Sequence, residues 1–222
     1  MKLPKLAHKG WSDCDAFTVL PQIAKQLKPG SYVPNPSEWA FRAFEMNPLD
    51  IQVIIVDESP YAGQYASGKS ESTGYALATD NDNYREWPLS LKVIYQSILT
   101  HEEGSMMPQL ASWRNQGVFL LNASLTCLQN LPGSHNKLWV EFTSKLVAYI
   151  SSLPGTRIWY FLGETAKLER HIAPFKDLVF KSEHPSLATY EKPFDGYFKQ
   201  ISEKTEELYG TRIKYLHTSP TN

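Results

Sequence analysis

Asp57, Glu58 and Ser59 stand directly after the β-branched run Val53-Ile-Ile-Val56, and Pro60 fixes the turn behind them. Such a run reads as a strand covered on both faces. It leaves two carboxylates and a hydroxyl crowded beyond the strand's carboxyl end, where open α/β sheets bind their ligands. The pattern recurs. Gln116-Gly-Val-Phe-Leu-Leu-Asn122 is a second buried strand ending on an amide. Ile158-Trp-Tyr-Phe-Leu162 runs into Gly163-Glu-Thr165, and Leu178-Val-Phe180 leads to Ser182-Glu-His-Pro-Ser186. The chemistry on offer is hydrogen bonding and charge stabilisation around a ligand in that crevice. Taken singly, each group has an ordinary explanation, since strand exits are polar, asparagine forms turns and a lone histidine is more often structural. The joint pattern, one polar cluster per strand end, is what points to a site.

Strands alternating with helices must position those groups. Apolar residues at helical spacing predict helices over Trp11 to Leu27 (stopped by Lys28-Pro-Gly30), Pro88 to Thr100, Trp139 to Leu153 and Phe194 to Tyr209. A further helix is predicted from about Thr165, and a short one through Phe44 with Ser37 as its N-cap. Tyr75-Ala-Leu-Ala-Thr79 has the pattern of a short strand. This alternation predicts an α/β fold: a single-domain three-layer α/β/α arrangement around a mostly parallel four-stranded sheet. One domain over residues 1–222, with its core at about 30–200, accounts for the length and the lack of internal repeats.

Composition narrows the function class. A formal net charge of −1 excludes a globally basic nucleic-acid binder, so any basic binding surface is local. Cys14 and Cys127 are two isolated cysteines, as in an intracellular protein with reduced thiols. The six histidines show no metal-ligand spacing, so no metal is expected. The polar start, Met1 to Gly10, lacks the apolar core of a signal peptide, and no apolar run reaches membrane-spanning length. The tryptophans are scattered and form no stacking platform for single strands. Gly63-x₄-Gly68-Lys69-Ser70 imitates a phosphate loop, but it is neither joined directly to a strand nor followed by a helix.

In order and spacing over roughly residues 30 to 200, the sequence resembles the uracil-DNA glycosylase superfamily, most closely its family 1. Asp57-Glu-Ser-Pro-Tyr-Ala-Gly63 stands where that family has Gly-Gln-Asp-Pro-Tyr-His-Gly. Gln116-Gly-Val-Phe-Leu-Leu-Asn122, followed by Leu125-Thr126, matches Gln-Gly-Val-Leu-Leu-Leu-Asn, and His184-Pro-Ser186 matches His-Pro-Ser. Tyr32-Val-Pro, Phe41-Arg-Ala-Phe44, Ser112-Trp and Trp139-x-x-Phe142-Thr143 match in the flanks. The resemblance implies an enzyme that flips a base out of DNA and hydrolyses its N-glycosidic bond, with DNA as partner and no cofactor. It implies that Asn122 reads the pyrimidine edge and that His184, as a neutral donor, stabilises charge on uracil O2. Tyr61 would pack against C5 and reject the thymine methyl. Leu77 and Ser59 would stand with Asn122 and Tyr61 around the base, and Pro88, Ser90, Gly163, Thr165, Ser186 and Leu187 would contact the DNA backbone.

The departures bear on activity. Ser59 stands at the family's catalytic aspartate, and a neutral hydroxyl cannot supply that charge. Leu77 replaces the phenylalanine that stacks on uracil, and Ala62 the motif histidine. Leu187 and Ala188 stand at the proline and leucine of the DNA wedge, and Glu164 replaces a serine at the phosphate loop. Family 4 carries a glutamate one position before the usual aspartate. Glu58 stands there, which makes it the first candidate for the catalytic carboxylate and Asp57 the second. The expected function is an atypical uracil-DNA glycosylase. The alternatives are an inactive homologue serving as a DNA-binding, processivity or protein-interaction module, and a glycosylase for a modified base.

Overall fold

The computed structural model describes residues 4–28 and 30–218. Pro29, part of the predicted helix stop, lies outside the described residues, as do 1–3 at the polar start and 219–222. In chain order the elements are α1 (Leu20–Gln26), β1 (Tyr32–Val33), β2 (Val53–Asp57), α2 (Leu89–Leu99), α3 (Ala111–Asn115), β3 (Val118–Asn122), β4 (Cys127–Leu128), α4 (Asn136–Ser152), β5 (Ile158–Leu162), β6 (Leu178–Ser182) and α5 (Phe198–Tyr209).

Four strands form one sheet in the order β3-β2-β5-β6, with every neighbouring pair parallel. The chain passes from β2 outward to β3, then crosses back over β2 to β5. That reversal makes the carboxyl end of β2 the topological switch point, where a crevice opens because adjacent connections leave in opposite directions. Every residue of β2, β3 and β5 is buried, as the continuous apolar runs require of strands covered on both faces. The edge strand β6 is only half-buried.

Alternation along the strands sorts aromatic rings into two cores. On one face Trp11, Phe17, Phe44 and Phe142 pack around Phe119 of β3, with Phe44 and Phe119 ring centroids 5.7 Å apart. On the other, Phe198 of α5 meets Tyr160 of β5 at 5.6 Å, and Tyr215 and Trp113 complete the layer. Both cysteines are buried free thiols, each pushed up to about 12 by burial. No helix of the described residues is long and apolar enough to cross a membrane.

Several expected elements take a different form. The long N-terminal helix breaks into two 3-10 turns, Lys9–Trp11 and Asp15–Val19, before α1 begins. Pro21 sits in the first turn of α1, the position where its missing N–H is least costly, and so marks a start. Ser37 is not a cap: it opens a 3-10 helix, Ser37–Glu45, with Pro36 before it and no side-chain cap. The segment after β5 is likewise a 3-10 helix, Gly163–His171. Tyr75–Thr79 is a buried turn, because Leu77 has a φ of 64° that no strand accommodates. A left-handed leucine costs roughly 1–2 kcal/mol. Bonds from Tyr61 Oη to Leu77 O (3.0 Å) and from Ala76 N to Leu120 O (3.2 Å) hold it there. The two-stranded antiparallel ribbon of β1 and β4 carries no periodic signal, being two residues wide.

Candidate active site

Strand β2 ends at Asp57, whose register partner on β3 is Asn122. Beyond them the loops after β2 and β3 stay joined, Ala123 N donating to Asp57 O (2.7 Å) and Ser124 N to Glu58 O (3.0 Å). The two side chains are therefore neighbours at the switch point, both at most 3% exposed. Asn122 Oδ1 is buried with no hydrogen-bond partner among the described residues. An orphaned buried amide oxygen is costly, and one facing a ligand crevice is an acceptor held ready.

His184 comes to the same place from β6. It precedes the single 3-10 turn Pro185–Leu187 and caps it, Nδ1 accepting from Ser186 N at 3.2 Å and lying 2.7 Å from Ser186 Oγ. With Nδ1 an acceptor, the neutral ring carries its proton on Nε2. Nε2 then donates to Asp57 Oδ1 at 2.8 Å. A second donor reaches the same oxygen, Glu58 N at 2.9 Å. Two N–H groups from separate strand ends thus converge on a single point, which is how an oxyanion is held. Burial pulls the imidazole down, but the hydrogen bond and charge of Asp57, with Glu58 adding, raise His184 above its ordinary 6.5.

Neighbouring residues divide sharply. Asp57 and Glu58 leave the strand on opposite sides, as alternation requires. Glu58 is half-buried, and its Oε1 accepts from Glu164 N at 2.9 Å. Gly163 makes this possible: at φ 60°, a Cβ there would meet Glu58 Oε1 at 2.5 Å and His184 Cβ at 3.0 Å. The Glu58 carboxylate is therefore tied to the turn after β5, while that of Asp57 faces His184. Ser59 Oγ accepts from Gly133 N at 3.1 Å, fastening the loop to the turn before α4.

The remaining candidates lie on the loops that follow the strands and at the start of α2. Tyr61 donates to Leu77 O and lies 3.1 Å from Ser90 Oγ, so one phenol locks the Leu77 turn to the start of α2; burial raises its hydroxyl far above the usual range. Leu77 is buried at 2% exposure. Pro88 directly precedes α2 as its N-cap residue. The hydroxyls of Ser90 and Thr165 are spent internally, the latter on Val56 O and Leu162 O, which leaves their backbone groups for any outside contact. Ser186 is exposed, and Leu187 projects at 63% exposure. The fully exposed Tyr190, a few residues on, is absent from the sequence candidates because nothing in its neighbours marks it. The Glu58 N–H is absent for another reason: a backbone donor has no residue signature. No group of three or more histidine, cysteine or acidic residues poised to hold a metal occurs among the described residues.

No protein-family profile matches the chain. Curated relatives do. It is 31% identical over 198 residues to the uracil-DNA glycosylase of Psychromonas ingrahamii, covering 84% of this chain and 88% of that protein. It is 35% identical over 168 residues to the uracil-DNA glycosylase of Amoebophilus asiaticus, 72% of each. The crystal structure of mimivirus uracil-DNA glycosylase superposes with a TM-score of 0.84 at 24% identity, over 98% of this chain and 90% of that one, a likeness of fold. The crystal structure of UNG from Nitratifractor salsuginis is more distant, with a TM-score of 0.61 at 14% identity over 94% of each chain, again a likeness of fold. With relatives above 30% identity aligned over most of both chains, and with Asn122 and His184 brought together at the switch point, the chain belongs to the uracil-DNA glycosylase family.

Proposed function

We propose that this chain excises uracil from DNA by hydrolysing the bond between deoxyribose C1′ and uracil N1, with the base flipped into the crevice at the end of β2. The observation that carries the reading is the convergence of His184 Nε2 and Glu58 N on one point beside the unpartnered Oδ1 of Asn122. As the C1′–N1 bond breaks, its electron pair moves onto the base and charge gathers on the O2 carbonyl. Two donors already aimed at one point lower the barrier once that oxygen occupies it. Asn122 accepts from N3–H and donates to O4, a pattern that uracil meets and cytosine does not. Water then adds to C1′, giving the abasic sugar, and its proton passes to a carboxylate or to solvent.

The cationic sugar requires a nearby negative charge, and Ser59 has none. Glu58 is the first candidate and Asp57 the second. Tyr61 guards C5 against the thymine methyl. Pro88, Ser90, Gly163, Thr165 and Ser186 line up the DNA backbone, and Leu187, apolar and exposed beside His184, meets the duplex the base has left. The test is single-turnover release of uracil from single- and double-stranded oligonucleotides by the parent, Glu58→Gln and His184→Ala. Release by the parent that collapses in both variants supports the assignment; release unaffected by Glu58→Gln transfers the charge role to Asp57. A second reading, a DNA-binding homologue without hydrolysis, draws on the neutral Ser59 and its bond to Gly133. Tight DNA binding with no release at high protein concentration would establish it.

A further inference from the structure

We propose that Asp57 is a built-in competitor of the substrate base: its carboxylate occupies the point where the base carbonyl has to sit, and excision requires its displacement. The inference rests on the reading of this crevice as a uracil pocket. Asp57 Oδ1 takes both donors, His184 Nε2 at 2.8 Å and Glu58 N at 2.9 Å. Each supplies one proton, and His184 has no other to offer while Nδ1 accepts from Ser186 N. A carbonyl oxygen entering the pocket therefore finds its donors spent. The base-reading side is the opposite case, since Asn122 Oδ1 is buried and unpartnered. One half of the pocket waits for a ligand and the other half is filled from within.

The occupant is held firmly. Asp57 is 2% exposed, and a buried carboxylate without its donors is strongly disfavoured. Retained beside the base, it would also oppose the negative charge that builds on the leaving carbonyl. Uracil binding must therefore turn the side chain out of the hole, and apparent affinity falls by the fraction of molecules in which it has turned out. Only the side chain stands in the way. The Asp57 backbone keeps its place, with its O accepting from Ala123 N and its Cα paired with Asn122, so a shorter residue leaves both donors standing.

The experiment measures free-uracil affinity by titration, and single-turnover uracil release, for the parent, Asp57→Gly, Asp57→Ala and Asp57→Asn. The glycine and alanine variants should bind uracil at least tenfold more tightly and release it faster at subsaturating enzyme. Asp57→Asn keeps an oxygen able to accept from both donors, so it should stay nearer the parent and controls for folding. In the alanine variant, added uracil should shift the His184 imidazole NMR resonances at concentrations that leave the parent unmoved. If the parent binds and releases uracil and the shorter variants gain nothing, the competitor role falls while the proposed function stands. Slower release by variants with parent-like melting also overturns it, and makes Asp57 part of the catalytic machinery. If neither the parent nor any variant binds or releases uracil, the function reading fails and the competitor role with it.

Discussion

The two ends of the central sheet both carry polar groups and use them in opposite ways. At the amino end a cavity of about 1030 Å³ is lined by Arg42, Arg114, Arg157 and Arg212. Those cations serve the chain itself, while Arg114 Nε and Arg157 Nε stay buried without a partner among the described residues. Arg157 Nη1 donates to Leu153 O, Pro154 O and Gly155 O at 3.0–3.2 Å. Arg42 serves Thr73 O, Arg212 pairs with Glu206, and Arg114 lies over the Tyr75 ring at 3.8 Å. At the carboxyl end donors from different strands meet at one oxygen, and a neighbouring acceptor is left open. Volume marks where packing stops. Convergence of hydrogen-bonding groups from separate strands on one point marks where chemistry can occur.

Mutations at the two ends should separate these roles. The largest effect is expected from His184→Ala, which removes one of two oxyanion donors and should slow single-turnover uracil release about 10²–10³-fold. Next is Gly163→Ala, where a Cβ meets Glu58 Oε1 at 2.5 Å in a left-handed turn. It should lower stability by about 1–2 kcal/mol and slow release, and adding Glu58→Ala should restore part of the melting loss while leaving release slow. Arg157→Gln at the other end leaves three carbonyls without their donor. It should cost about 1–3 kcal/mol in denaturant unfolding, with release per folded molecule unchanged; a large loss of turnover would give the amino end a functional role.

The smallest expected effect is on pH dependence. His184 is raised in the folded state by Asp57, against the pull of burial. A raised imidazole binds its proton more tightly folded than unfolded, so this contribution is complete below the unfolded value and lost as pH rises through the folded one. The melting difference between the parent and Asp57→Asn should therefore be widest below about pH 6.5 and narrow above it. A difference independent of pH would remove the charge from the Asp57–His184 contact.

Much of this was legible along the chain. The runs Val53–Val56, Gln116–Asn122 and Ile158–Leu162 are buried parallel strands because only residues apolar on both sides fit between two helical layers. The polar residue at each strand's end follows from where such strands must surface. The N-terminal helix was less legible, since helical spacing is shared by the 3-10 turns that replace it, and the Tyr75–Thr79 pattern hides a left-handed leucine. Ser90 and Thr165 show the same limit. A hydroxyl in the right loop can face DNA or an internal acceptor, and distant residues choose between them.

The sequence by itself determined the parallel α/β layering, the four strand ends that bear the site and the family to which the chain belongs, because hydrophobic period and short motifs are local properties. It also required Asp57 and Glu58 to leave β2 on opposite sides, since side chains alternate along a strand. Only the tertiary structure decided which of them meets His184. That depends on how β2, β5 and β6 are ordered and on the left-handed turn at Gly163 that draws Glu58 away, both set by contacts more than a hundred residues apart in sequence.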